Sequence, residues 1–473
     1  MMQKFIEFDF IGGAYEARSL NLNAQRCQNL YPVIDVGKEG SKNVVALLGS
    51  PGLKVWANPF HTAEVRGLYS TEDYLYGVIG DRVYRFDSEG NATTMTGTVN
   101  AISGYISMAE NYNDEIIIID KPKGYVLNTT TSTVTLISAA GFPEATSAIQ
   151  QDGYFIVSVS DSAEFNYSGL NDGTSWDALN FYSADSQPDF LVSCATTARD
   201  VWLFGSKTTE VWYNDGSPFS RYQNVFFENG CGAIGSVCVT PDGIVWLDNQ
   251  FRVVMVPHGS YQIVPRSTYQ IDYQIKQMTT KSNARAYWYQ GEGHIFYVLT
   301  FPSDNKTFEL NLTTGFWNTR ARGIADSRHR GNCSAFYKGK WIVGDFENGK
   351  LYEIDYNTFT EDAEVMRAIR RAQCVHQNRE RLFHHELDID FETGVGLVTG
   401  QGSDPLAMLR YSDDGGHTWS NERTQSIGKI GEYWQRARWR RLGTSRNRIY
   451  EVCVSDAVKR NIINAYLRVD AGI

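Results

Sequence analysis

The chain has 473 residues, 42% hydrophobic and 21% charged, a balance that excludes long disordered stretches. Aromatic residues reach 13%, with 27 Tyr and 11 Trp, which suits half-buried pleated surfaces and protein interfaces. The formal charge is −10, with 20 basic against 33 acidic residues over 1–319 and 24 against 21 over 320–473. An acidic body speaks against a sequence-tolerant DNA clamp.

The first residues, Met1-Met2-Gln3-Lys4-Phe5-Ile6-Glu7, meet charge before an apolar run can build, so no secretory h-region is expected. Residues 1–60 carry no repeat and read as an N-terminal arm or partial strand set that ties down the rest of the chain. Apolar runs elsewhere, such as Ile116–Ile119, fall far below the ~20 residues that span a bilayer, so no membrane partner is expected. The seven cysteines are scattered and form no Cys-x-x-Cys pair. They read as reduced thiols serving as small core residues in a protein made in a cytoplasm.

From 61 to 362 a unit recurs: a polar turn, a β-rich run, a second turn and another β-rich run. Copies begin at Glu72-Asp73, Asn113-Asp114, Asp152-Gly153, Asp200, Asp242-Gly243, Gly293 and Gly339. The turns lie about 40 to 50 residues apart, the length of one four-stranded propeller blade. Asp-Gly and Gly-Lys corners supply the positive φ that tight hairpins need. Runs of Val, Ile, Tyr and Trp this short are strands rather than helices. The best helical candidate is Glu361–Arg371, at the boundary of the repeat region. Beyond it the period stops, and 363–473 reads as a separate β-sandwich with strands Phe383–Phe391, Ala407–Tyr411, Trp434–Arg440 and Arg448–Val454. The expected fold is therefore all-β: an arm (1–60), a seven-bladed propeller (61–362) and a C-terminal sandwich (363–473).

Three clusters carry polar chemistry. In an extended strand His384, Glu386 and Asp388 share one face, a mixed N and O set that could ligate a metal; a solvated polar row is the preferred reading. Ser412, Asp414, Gly416, Thr418 and Trp419 fit the Ser-x-Asp-x-Gly-x-Thr-Trp pattern of an Asp-box. There the carboxylate accepts backbone N–H groups, the glycine permits the turn and the indole packs beneath it. Its role is a structural turn. Two arginine groups remain: Arg367, Arg370, Arg371, Arg379 and Arg381, then Arg436, Arg438, Arg440, Arg441, Arg446 and Arg448. Alternation puts Arg436, Arg438 and Arg440 on one strand face, with Trp434 in phase and Ala437 and Trp439 opposite. That face is a candidate interface, for an acidic protein or DNA phosphates, against the alternative of a solvated ion-paired surface.

No phosphate-binding loop, nucleophile elbow or zinc-protease helix is written in the chain. Nor does any segment single out the opposed carboxylates that glycosidase chemistry needs. No catalytic residue, cofactor or metal is expected.

Several fragments, in order, resemble the packaged-DNA stabilisation proteins of short-tailed phages, a tail-hub or head-closure family. They are Gly13-Ala14-Tyr15 with Asn23–Pro32 and Ser50-Pro51-Gly52-Leu53, then Ser186–Asp189, Glu210–Tyr213 and Gly230-Cys231-Gly232. Tyr411–Trp419, Gly428–Tyr433 and Arg438–Gly443 complete the series. The resemblance implies a structural virion protein of the tail, below the portal and its adaptor ring. It implies a homo-oligomeric sixfold ring that closes the channel over packaged double-stranded DNA without sequence specificity. It also implies partners among tail spikes, fibres or a needle, and a part in genome ejection. The family has no catalytic residues to carry over. The alternative is a carbohydrate-binding or glycosidase-like propeller of the tail, which would need paired carboxylates or stacking Trp residues at the propeller's centre.

Overall fold

The computed structural model describes residues 4–19, 23–35, 44–377 and 380–471. Hairpins dominate, and their corners follow from the turn chemistry. Asp152-Gly153, Glu292-Gly293 and Lys338-Gly339 each place two successive residues at positive φ. They join strands in register at Gln151↔Tyr154, Gly291↔His294 and Tyr337↔Lys340. These are two-residue turns whose twist matches that of the flanking strands. Other corners are held by side chains. Asp87 Oδ1 accepts from the N–H groups of Glu89 and Asn91 at 2.9 Å each, and Asp248 Oδ1 from those of Gln250 (2.9 Å) and Arg252 (2.8 Å).

Four-stranded antiparallel units follow one another over 65–98, 107–136, 145–183, 191–227, 238–265 and 285–322. A further unit, 331–355, supplies only three of its own strands; its fourth is Gly52–Ala57, paired to Leu351–Asp355. The first strands of neighbouring units touch in sequence, and Gly331–Tyr337 returns to touch Val65–Ser70. The result is a closed propeller without a free sheet edge at the junction. Second strands such as Leu75–Ile79, Asp200–Gly205 and Gly243–Leu247 are almost wholly buried because a unit packs on each of their faces.

The second domain is a sandwich. One sheet runs Leu30–Asp35, Val44–Gly49, Ile462–Ala471, Leu382–Phe391, Ala437–Ser445, with Lys4–Glu7 also paired to Ile462–Ala471. The other contains Ala24–Gln28, Ala368–Arg371, Asn447–Val454, Leu406–Ser412 and Arg423–Ser426. Their inner faces share a core that includes Cys27, Leu47, Leu387, Trp439, Tyr450 and Leu467. The N-terminal segment thus supplies strands to both sheets before completing the propeller. Ala24–Gln28 also bridges the domains: it pairs with Ala368–Arg371 and, at Gln28↔Thr319, with the outer strand of the 285–322 unit.

The helix expected over Glu361–Arg371 is instead three short strands, Thr360–Glu361, Glu364–Val365 and Ala368–Arg371. Glu364–Val365 folds back on Thr360–Glu361, while the first and third strands find partners near 53, 27 and 452, so long-range pairing overrides local propensity. Among the described residues the α-helix is Tyr269–Gln277, capped by Thr268, whose hydroxyl accepts from Ile271 N. Ile271 and Ile275, one turn apart, are buried against the neighbouring units.

Candidate functional site

The first strands of all the units line an axial cavity of about 950 Å³. One corner is aromatic: Trp288 and Trp341 lie 4.6 Å apart edge to face, and Phe336 lies 5.3 Å from Trp341 and is 53% exposed. Gln150, Gln290, Thr196 and Ser334 add neutral polar groups. Glu110 is the single charged residue of the lining among the described residues. Burial, then the nearby Asp114, raises its carboxyl above the ordinary value. Cys194, Cys238 and Cys333 also line the cavity; burial pushes their thiols up to about 11, 12 and 12, so they stay protonated. Toward the other end Arg285 lies 5.3 Å over the Tyr105 ring and 3.5 Å from Glu64, which also accepts from Asn332 at 2.9 Å. That charge is internally compensated.

The arginine row sits at one edge of the sandwich. The strand begins at Ala437, later than the sequence indicates, and Trp434 lies in the preceding turn, 97% exposed, rather than in phase on the strand. Arg438 and Arg440 do alternate with buried Ala437 and Trp439. Both are engaged across the sheet: Arg438 meets Glu386 at 3.1 Å and Asp388 at 2.9 Å, and Arg440 meets Glu386 at 2.9 Å. Arg436 is exposed and shares with them a hollow also lined by Asp390, Tyr466 and Arg468.

The single polar face expected for His384, Glu386 and Asp388 is broken by a β-bulge at His385. The extra residue breaks the alternation. His384 turns into the core between Ser445 Oγ (2.8 Å) and Tyr450 OH (2.7 Å), while Glu386 and Asp388 face the arginines. Burial, with Arg448 nearby, pushes the His384 imidazole down to about 3, so it is neutral.

In the Ser412–Trp419 turn, Asp414 accepts from Ser412 Oγ at 2.7 Å, from Thr418 N at 2.9 Å and from Thr418 Oγ1 at 2.6 Å. These bonds, the Thr418 hydroxyl first, hold its carboxyl below the ordinary range. Gly416 N donates to Ser412 Oγ at 2.8 Å, and Trp419 Nε1 to Gly416 O at 3.1 Å. The guanidinium groups of Arg371 and Arg410 lie 4.9 and 4.8 Å over the Trp419 ring. The turn is closed on itself and presents no open carboxylate pair.

Of the earlier arginine group, Arg370 and Arg371 are buried, Arg367 is partly buried and Arg381 is exposed. Arg370 donates to Phe10 O, Gly13 O (2.9 Å) and Gln25 Oε1 (2.7 Å), pinning the N-terminal segment. Arg367 binds Asp326, and Arg371 binds Glu451 at 2.8 Å. Arg379 lies outside the described residues. Nearby, Arg320 meets Glu309 at 2.9 Å and Glu361 at 3.5 Å, and His329 meets Glu361 at 2.5 Å, all buried. Burial alone would raise the Glu361 carboxyl, but His329, Arg320 and the Arg330 N–H hold it at about 2. The cavity residues and this network escape a sequence reading because the first strands mix small, polar and aromatic residues, and the ion-pair partners lie far apart in the chain.

Two family descriptions match the chain in succession: "Bacteriophage P22 Gp10, beta-propeller" over residues 6–359 and "Bacteriophage P22 Gp10, beta-sandwich" over 368–470. The tail hub protein gp10 of Salmonella phage P22 is 22% identical over 413 residues, covering 80% of this chain and 82% of the relative. Among solved structures, the designed protein Ika8 aligns with a TM-score of 0.39 at 13% identity, covering 75% of this chain and all of Ika8. The Cps50 (Swd1) β-propeller domain of Myceliophteria thermophila aligns with a TM-score of 0.44 at 9% identity, covering 64% of this chain and 98% of that domain. With its propeller and its sandwich both matched, in order and over most of its length, the chain belongs to the phage P22 Gp10 family.

Proposed function

We propose that this chain is a structural tail hub of a short-tailed phage, in which an arm (1–60) laces a seven-bladed propeller (61–362) to a β-sandwich (363–473). The observation that carries the reading is the match of both family domains in register with the fold. It works without catalysis, as part of the virion tail after synthesis in the host cytoplasm. Copies form a sixfold ring below the portal and adaptor, close the channel over packaged double-stranded DNA and carry spikes, fibres or a needle. Closure is steric. The acidic balance of 1–319 supports a DNA path that repels rather than grips, so the genome slides past during ejection. Reversing acidic charges along that path should slow ejection.

The exposed end of the sandwich, with Trp434 and Arg436 beside the paired Arg438 and Arg440, is the proposed contact with another tail component. Tryptophan and arginine are the side chains that anchor protein interfaces. Because Glu386 and Asp388 already neutralise two of the three arginines, this face suits a protein better than a phosphate backbone. A phage carrying a null allele of this gene tests the assignment. It should fill heads that then lose their DNA, with infectivity restored by the intact chain; stable, infectious particles without the chain would refute it.

A further inference from the structure

We propose that the end of the propeller at which the axial cavity opens is a docking site for a basic, extended segment of a partner protein. The site stands on the chain's own topology and charge and does not depend on the hub assignment. The last residues of the first strands, among them Glu110, Gln150, Thr196, Gln290 and Phe336, line the cavity together, so the hairpin turns that follow these strands ring its mouth. Phe336 is 53% exposed there, packed on Trp341, which in turn meets Trp288. Tyr112, in one of the turns, is 74% exposed. Exposed aromatic surface at a recess is where a partner's side chains are anchored.

The charge of the rim decides the occupant. Exposed carboxylates stand in the turns of five units: Glu72 with Asp73, then Asp114, Asp152, Asp242 and Glu292. None of them enters an ion pair among the described residues. Against them the turns hold Arg199 and Lys338; Lys340, beside the last turn, is bound to Glu353 at 3.0 Å. The turns at the opposite end of the ring, between second and third strands, carry both signs, with Asp81 beside Arg82, and Asp161 set against Lys121, Lys123 and Lys207. The uncompensated acid is thus gathered at the end where the cavity opens. Carboxylates around a recess focus a negative potential into it, which draws cations and repels polyanions. Aromatic faces in the same recess take a guanidinium or ammonium group by cation–π contact and bury the apolar stem behind it. A segment that mixes basic and apolar residues meets both demands. Duplex DNA brings the wrong charge, and a neutral chain leaves the carboxylates unanswered.

The test uses the purified full chain on an array of random-sequence peptides whose net charge is stepped from anionic through neutral to cationic, with spermidine and duplex DNA titrated in parallel. Retention should rise with positive charge and be highest for cationic peptides that also carry apolar residues. The best of them, titrated in solution, should saturate at one per chain, shift tryptophan emission and weaken as salt is added. Phe336→Ala, and separately Glu72→Lys with Asp242→Lys, should weaken that binding roughly tenfold or more with melting temperature unchanged. Asp81→Lys with Asp161→Lys, at the opposite end, should change it less than about twofold. Retention of neutral or anionic peptides alone, or of nothing, would overturn the proposal. So would spermidine binding as tightly as the peptide, DNA held at this end, self-association of the chain through these residues, or equal loss on charge reversal at either end.

Discussion

Leu53 lies opposite Ile354 in an antiparallel pair and beside Glu361 in a parallel one, so a strand from the start of the chain closes the ring at its end. Leu53 is buried, and the adjoining Gly52 is so close to Thr358 O that a Cβ would sit 2.4 Å away. Leu53→Asp places a carboxylate in that seam and should cost about 3 kcal/mol or more. Urea unfolding followed by circular dichroism reads this. An unchanged midpoint would show that the ring holds without its N-terminal latch.

In the sandwich, Arg448 is buried and meets both carboxylate oxygens of Asp413, at 2.6 and 2.7 Å, with its guanidinium 4.0 Å over the Tyr411 ring. Asp413→Ala strands that cation and should cost about 2 kcal/mol. Removing both partners, as Asp413→Ala with Arg448→Met, should recover part of the loss in a double-mutant cycle. Strict additivity of the two losses would mean the pair does not act as one.

Acid should weaken the fold in two stages. His384 is held near 3 in the folded chain against an ordinary 6.5, so stability is full above 6.5 and falls as pH drops through that value toward 3. Glu361 is held at about 2 against 4.5, which adds a second loss between 4.5 and 2. Both slopes have the same sign because the unfolded chain binds the extra proton. Glu361→Gln breaks a buried ion cluster and should cost about 3 to 5 kcal/mol while flattening the lower stage. Melting temperature measured from pH 7 to pH 3 tests the pair of statements; a stability that rises on acidification would contradict both.

Trp434 and Arg436 are exposed, so replacing them should leave the isolated chain's melting temperature within about 1 °C. Trp434→Ala with Arg436→Glu should nevertheless reduce incorporation into particles at least tenfold, read by quantitative immunoblot of purified virions. Normal incorporation would remove this face from the assembly contacts.

The repeat is legible in the sequence through the central hairpin of each unit, and the structure explains why. A second strand such as Glu115–Asp120 is covered on both faces and reads as an unbroken run of isoleucines. First strands are less legible: Ser107–Glu110 faces the cavity on one side and mixes small, polar and charged residues. Some fourth strands lie at the rim, as in Ala92–Thr98, where Met95 is the one buried residue. The role of 1–60 depends on partners about 300 and 400 residues downstream, which no local pattern reports. The bulge at His385 is equally silent, yet it decides that His384 is a core residue and that Glu386 faces the arginines.

Quantitative mass spectrometry of density-purified phage particles, comparing copies of this chain with copies of the portal protein, tests the tail-hub reading most directly. A sixfold ring on a twelvefold vertex predicts a fixed ratio of about one half. Absence from particles, with the chain found only in infected-cell lysate, would contradict the account.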